Sequence, residues 1–235
     1  MLNFNLAIIR ATVEYVAAYK LNLGFYLDQG VPGIKALQAT CLYLQRECPE
    51  VFIILDSKSG DIGNTNLGYI NFIFNKCQAD AVTIHNYMGY EAMKPFLEIG
   101  KGVFVLCKTS NKGSDEFQGD GRYLEVAEHV ASRETWNKYQ NCGLVVGATY
   151  PDELLKVREV APFMVLLIPG IGKQGGVLEA TVRNAVSLNG ESYFIVNSSR
   201  GIIFGSNKRD FAEVAKERTI ELHEKILKIK DEMLN

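Results

Sequence analysis

Seven short apolar runs dominate this sequence and constrain its fold more than any other feature. They are Val16–Asn22, Val51–Lys58, Ala81–Tyr87, Gly102–Ser110, Gly143–Thr149, Phe163–Gly170 and Tyr193–Ser199. Most are continuously apolar rather than alternating, as expected of strands buried on both faces of a parallel sheet. Helical patterns separate them at Gly33–Glu47, Asn66–Lys76, Glu91–Ile99, Arg122–Tyr139, Pro151–Val160 and Val177–Leu188, and a Lys/Glu-rich helix follows at Asp210–Met233. Repeated strand–helix units predict an α/β fold with a parallel sheet. So many units in 235 residues favour a single (β/α)8 TIM barrel over residues 1–235 rather than an open doubly wound sheet. No GxGxxG follows the first strand, which argues against a dinucleotide-binding open sheet. The chain opens with a helix, Phe4–Tyr15, ahead of its first strand, so the barrel's own first strand is absent from this chain.

Composition narrows the function classes. A hydrophobic fraction of 47%, 22% charged residues and a net charge of −2 describe a folded domain with a large core and no basic excess for nucleic acid. With no apolar stretch long enough to span a bilayer, no membrane partner is expected. The N-terminal residues Met1–Asn5 lack the charged and apolar regions of a secretion signal. The cysteines Cys41, Cys48, Cys77, Cys107 and Cys142 contain no CxxC pair, which argues against a disulfide framework or structural zinc and for a cytoplasmic protein with buried thiols. His85, His129 and His223 are scattered, without HExxH spacing, and no GxSxG occurs.

In such a barrel, chemistry sits at the C-terminal ends of the strands, and polar residues concentrate there. In Ile53–Thr65, alternation predicts that Asp56 and Lys58 share a face at the strand mouth, with Asp61 beyond the flexible Gly60 and Thr65 a helical turn further on. Two carboxylates bracketing an ammonium would hold it charged and directed. Taken alone, this segment fits a surface ion-pair network equally well. Lys20 lies inside an apolar strand, where a lysine is costly unless it reaches a carboxylate at the mouth; Asp56 on the next strand is the candidate. Glycine-rich Pro169–Gly176 and Asn197–Gly201 follow adjacent strands and predict a phosphate site of backbone N–H groups, with Arg200 able to clasp the anion. Thr109, Ser110 and Asn111 offer groups that could read the polar edge of a planar ligand or serve as ordinary strand-end capping.

Taken in order, DxKxxDIxxT (Asp56, Lys58, Asp61, Ile62, Thr65), the TSN segment, IPGIGxQGG and NSSRG resemble the orotidine 5′-phosphate decarboxylase family, in particular its longer bacterial-like subgroup. Ala17–Gly30 and Val145–Thr149 are similar to that family too, and the resemblance runs from Asn5 to Phe204. It implies a decarboxylase converting orotidine 5′-monophosphate to uridine 5′-monophosphate without metal or organic cofactor. Lys58 would be the general acid at C6, Asp56 would hold it near the substrate carboxylate, and Lys20 would bond the ribose. Ser110, with Pro169 nearby, would recognise the pyrimidine; Gln174, Arg200 and the Gly201 backbone would hold the phosphate. The resemblance further implies an obligate homodimer in which Asp61, Ile62 and Thr65 enter the neighbouring subunit's site.

The sequence departs from the family pattern in places. Ser57 and Ser59 replace the usual Ala and Arg, and His85-Asn86-Tyr87 stands where Asn-Pro-Tyr is usual. The absent first strand would carry an Asp that bonds the ribose hydroxyls, so an open barrel edge is expected, with reduced stability or a borrowed strand. Two other functions compete: a magnesium-dependent sugar-phosphate decarboxylase or aldolase of the same barrel group, and a phosphate-binding barrel impaired in catalysis.

Overall fold

The computed structural model describes residues 1–171, 175–186, 190 and 193–234. The chain begins with α1 (Leu2–Thr12), β1 (Ala18–Asn22), α2 (Leu23–Leu27), α3 (Gly30–Glu47) and β2 (Phe52–Ser59). It continues through α4 (Gly63–Ile70), β3 (Ala81–Ile84), α5 (Gly89–Leu97), β4 (Gly102–Lys108), α6 (Asp115–Gln118), α7 (Arg122–Ala131), β5 (Cys142–Val146) and α8 (Pro151–Val160). It ends with β6 (Val165–Pro169), α9 (Gly175–Ala185), β7 (Phe194–Asn197), α10 (Arg200–Ile203) and α11 (Phe211–Leu234).

Each apolar run contains one strand, and all neighbouring pairs are parallel in sequential order from β1 to β7. Alternation sorts the strand residues into two layers. Ile54, Ala81, Phe104, Val145 and Leu167 fill the barrel interior. Their neighbours Ile53, Leu55, Val82, Val105, Leu144 and Leu166 face outward into the main core beneath the helices. The helices answer with apolar stripes. On α3, Gly33, Ala36, Leu37, Thr40, Cys41 and Leu44 repeat at three- and four-residue steps and are buried. Helix α8 starts with Pro151 in its first turn, where a missing N–H is harmless.

Among the described residues, β1 and β7 have no strand between them, so the strand wall is a TIM-like barrel with one gap. The helical layer nevertheless closes over it: α1 packs on α3 and α11, and α11 packs on α9. Phe4 of α1 stacks on Phe211 and Phe204, at 5.1 and 6.3 Å between ring centres. The open edge is therefore covered on its outer side, as unpaired strand edges require.

Two helix boundaries differ from the sequence pattern. The helix expected over Arg122–Tyr139 stops at Ala131, where Ser132 turns to extended backbone with ψ 121°. The chain then folds back in turns that bury Trp136 against Tyr90, 6.0 Å between ring centres. The pattern at Asn66–Lys76 continues past α4 as a π-helical turn, Asn71–Lys76. All five cysteines are buried free thiols. No helix among the described residues is long and apolar enough to cross a membrane.

Candidate active site

The interior positions of β1, β2 and β3 become polar near their C-terminal ends. In register, Lys20 stands beside Ile54 and Asn22 beside Asp56, which places Lys20, Asn22, Asp56 and Thr83 around one mouth. Asp56 is 5% exposed and is the hub. Its Oδ2 accepts from Lys20 Nζ, and from Asn22 Nδ2 at 3.3 Å. Its Oδ1 accepts from Lys58 Nζ at 2.6 Å and Thr83 Oγ1 at 2.9 Å. Burial alone would raise the Asp56 pKa, but the charges and hydrogen bonds of Lys20 and then Lys58 outweigh it and hold the carboxyl below its ordinary value. Burial lowers the Lys20 pKa; Asp56 opposes that shift, and the nearby Lys58 adds to it.

Lys58 reaches Asp56 by a route that simple alternation does not describe. The β2–β3 register shifts between Leu55 and Ser59, and Lys58 takes a left-handed backbone, φ +49°. Its amide donates to Thr83 Oγ1 at 3.0 Å. Non-glycine residues in that region carry strain of about 1–3 kcal/mol and cluster at working sites. Thr83 thus fixes both the carboxylate and the strained lysine backbone. Its signal in the sequence was one hydroxyl in the apolar run Ala81–Ile84.

The array opens on a cavity of about 430 Å³. Its far wall comes from the mouths of β4 and β6, with Thr109, Ser110, Asn111, Gln118 and Pro169 in the lining. Ser110 is held by close backbone packing: a Cβ on Gly147 would stand 2.8 Å from the Ser110 Cα, so only glycine fits there. Gly170, at φ +100°, passes close by the Ser110 side chain. Gln118, which sequence reasoning missed, accepts from the Thr109 amide at 2.7 Å.

The structure brings Lys20, Asp56, Lys58, Ser110 and Pro169 to one cavity. It does not bring Asp61, Ile62 or Thr65 into that lining. Asp61 caps its own turn by accepting from the Ile62 amide at 2.7 Å, and the buried Asn66 clamps the Asp61 backbone. Ile62 is 57% exposed, and Thr65 is exposed as well. Arg200 and Gly201 open α10 and are exposed; neither lines the cavity. Gln174 lies outside the described residues. Among those residues, no cluster of three or more His, Cys, Asp or Glu has the arrangement of a metal site.

Fold and site together define a class: a (β/α)-barrel enzyme whose strand mouths present a shared lysine–aspartate array to an open cavity. The profile of the orotidine 5′-phosphate decarboxylase / HUMPS family matches residues 3–215, and the chain belongs to that family. It is 44% identical over 234 residues to the orotidine 5′-phosphate decarboxylase of Dehalococcoides mccartyi, covering 96% of this chain and 84% of the relative. Among solved structures it is similar to Leishmania donovani OMP decarboxylase, with TM-score 0.82 and 36% identity over 96% of this chain and 87% of that one. The Plasmodium berghei orotidine 5′-monophosphate decarboxylase gives TM-score 0.87 at 29% identity, over 100% of this chain and 73% of its own.

Proposed function

We propose that Lys58 is the acid that completes the reaction this family membership assigns to the chain, decarboxylation of orotidine 5′-monophosphate to uridine 5′-monophosphate. The observation that carries this reading is a buried carboxylate, Asp56, shared by two ammonium groups, with Lys58 at the cavity mouth. When the bond between C6 and the carboxylate breaks, carbon dioxide leaves and the electron pair stays on C6. No ring carbonyl delocalises that pair, so the protein supplies the stabilisation electrostatically. The Lys58 ammonium faces the developing carbanion, transfers a proton to C6, and is reprotonated from solvent.

Asp56 holds Lys58 in that direction and lies next to the substrate carboxylate. Lys20 bonds the ribose. Ser110 reads the pyrimidine beside Pro169, while Gln174, Arg200 and the Gly201 amide hold the phosphate. Phosphate binding at a distance from C6 provides binding energy for organising the site. Asp61, Ile62 and Thr65 serve the neighbouring subunit of a homodimer. The loops and helices after β1, β2 and β3 carry exposed Phe25, Ile62, Leu67 and Tyr87, which supports an apolar contact face there. The reading implies no metal or organic cofactor.

The test is loss of orotidine 5′-monophosphate absorbance with the wild-type chain, with Lys58→Ala and with added EDTA. Turnover that survives EDTA and disappears in the variant is the expected result. A folded wild-type chain without turnover would overturn the reading. Sedimentation of the wild type and Leu67→Glu tests the dimer: the wild type should run as a dimer and the variant as a monomer with depressed turnover.

A further inference from the structure

A second buried lysine lies behind the cavity wall. Continued alternation from Phe104 and Leu106 would send Lys108 into the barrel interior, but the β4–β5 register shifts between Leu106 and Lys108. Lys108 is fully buried and lies outside the cavity lining. Its Nζ donates to Asp115 Oδ1 and stands 3.5 Å from Glu153 Oε2. The rings of Tyr150 and Tyr123 flank it, with centres 5.0 and 5.6 Å away.

An ammonium in that place is costly unless neutralised. Burial would lower its pKa, but the Asp115 hydrogen bond and the Glu153 charge outweigh burial and raise it. The two carboxylates sit on different bodies. Glu153 belongs to α8, and its buried Oε2 has no hydrogen-bond partner among the described residues. Asp115 belongs to the four-residue α6, and its side chain is 67% exposed. The excursion that carries Asp115 also brings Thr109, Ser110 and Gln118 to the cavity.

Gln118 forms a second tie inside the same excursion. Its Oε1 accepts from the Thr109 amide at 2.7 Å, and its Nε2 donates to Thr109 Oγ1 at 3.0 Å. An exposed aspartate paired with an exposed lysine would hold little. This pair differs because the buried ammonium needs a counter-charge, so the loop is drawn toward it.

We propose that Lys108 and Asp115 are a positioning pair that anchors the loop 109–118 against the cavity and sets where Ser110 and Gln118 meet the substrate ring. Glu153, 3.5 Å from the ammonium, supplies its second counter-charge. This inference rests on reading the cavity as the pyrimidine site.

The test uses Asp115→Asn, which removes the counter-charge to Lys108 while keeping the side chain's size, beside the wild type and Asp115→Glu. For Asp115→Asn, KM for orotidine 5′-monophosphate and the dissociation constant of uridine 5′-monophosphate should each rise about tenfold, with kcat within about threefold of wild type. Hydrogen exchange should quicken in residues 109–118 and stay unchanged in β2 and β3, while Asp115→Glu restores KM to within about threefold. A merely structural role would give loss of melting temperature without this split between KM and kcat. Wild-type turnover with an Asp115→Asn variant matching it in KM, product affinity and exchange would overturn the inference alone. A wild type that neither turns over the substrate nor binds the product would overturn the pyrimidine-site reading beneath it.

Discussion

The two ends of the barrel hold cations with opposite partners. At the end where the strands begin, Arg158 of α8 is 1% exposed and, among the described residues, pairs with carbonyls rather than carboxylates. Its guanidinium donates to the carbonyls of Ala185, Ala161, Pro162, Met164 and Tyr193, at distances from 2.8 to 3.3 Å. Those carbonyls belong to the end of α9 and the approaches to β6 and β7, so one side chain ties three segments together. At the opposite end, Lys20 and Lys58 share Asp56, leaving one positive charge in excess beside a cavity. The lower arrangement meets its guanidinium with five backbone carbonyls. The upper one sets two ammonium groups on a single carboxylate beside an open cavity.

Lys58→Ala tests the upper end most severely. Turnover of orotidine 5′-monophosphate should fall by at least about 10³-fold while the fold is retained; a loss under tenfold would remove Lys58 from the reaction. Arg158→Met should reverse the outcome. It orphans the carbonyls, so urea denaturation should show a loss of about 3–4 kcal/mol, with kcat per folded molecule unchanged. Stability within about 1 kcal/mol of wild type would mean that those carbonyls find other partners. Burial lowers the Arg158 pKa to about 10, which still leaves it charged at neutral pH, so its contribution should be flat between pH 6 and 8.

Asp56→Asn should be pH-dependent where Arg158→Met is not. The folded-state pKa of Asp56 lies below its unfolded value of about 3.9. Its stabilising contribution is thus fully present above that unfolded value and is lost as pH falls through the folded one. The variant should be about 2 kcal/mol less stable at pH 7, and its denaturation midpoint should converge on wild type as the solution is acidified. A gap that stays constant into acid would show that lost packing, not lost charge, is responsible. The smallest effect is expected from Thr83→Val, which deletes the hydroxyl between Asp56 and the Lys58 amide. Turnover should drop about tenfold, equivalent to ~1.4 kcal/mol, and unchanged kinetics would show that Lys58 keeps its direction without that support.

Much of this was legible in the residues. Continuous apolar runs located each strand, because a strand buried on both faces has little room for polar residues. The Lys20–Asp56 pair was legible because a lysine in such a run requires a nearby counter-charge. Register shifts were not legible. They reoriented Lys58 and turned Lys108 away from the interior, and no local propensity marks where a parallel ladder will slip. Arg158 also escaped, although it lies four residues beyond the buried Leu154 on α8. A polar residue on an apolar stripe reads as a helix-face irregularity until the carbonyls it collects are seen. The helix ending at Ala131 was overextended because the pull of Trp136 into the core is tertiary.

The left-handed backbone at Lys58 sets the ease of the main chain against the placement of the side chain. Glycine adopts φ +49° without the side-chain clash that lysine suffers there. Lys58→Gly should therefore relieve local strain while removing an ammonium that donates to the buried Asp56, so its two effects on stability oppose each other. The proposed role of Lys58 depends on its ammonium, and the backbone at that position bears the cost of placing it.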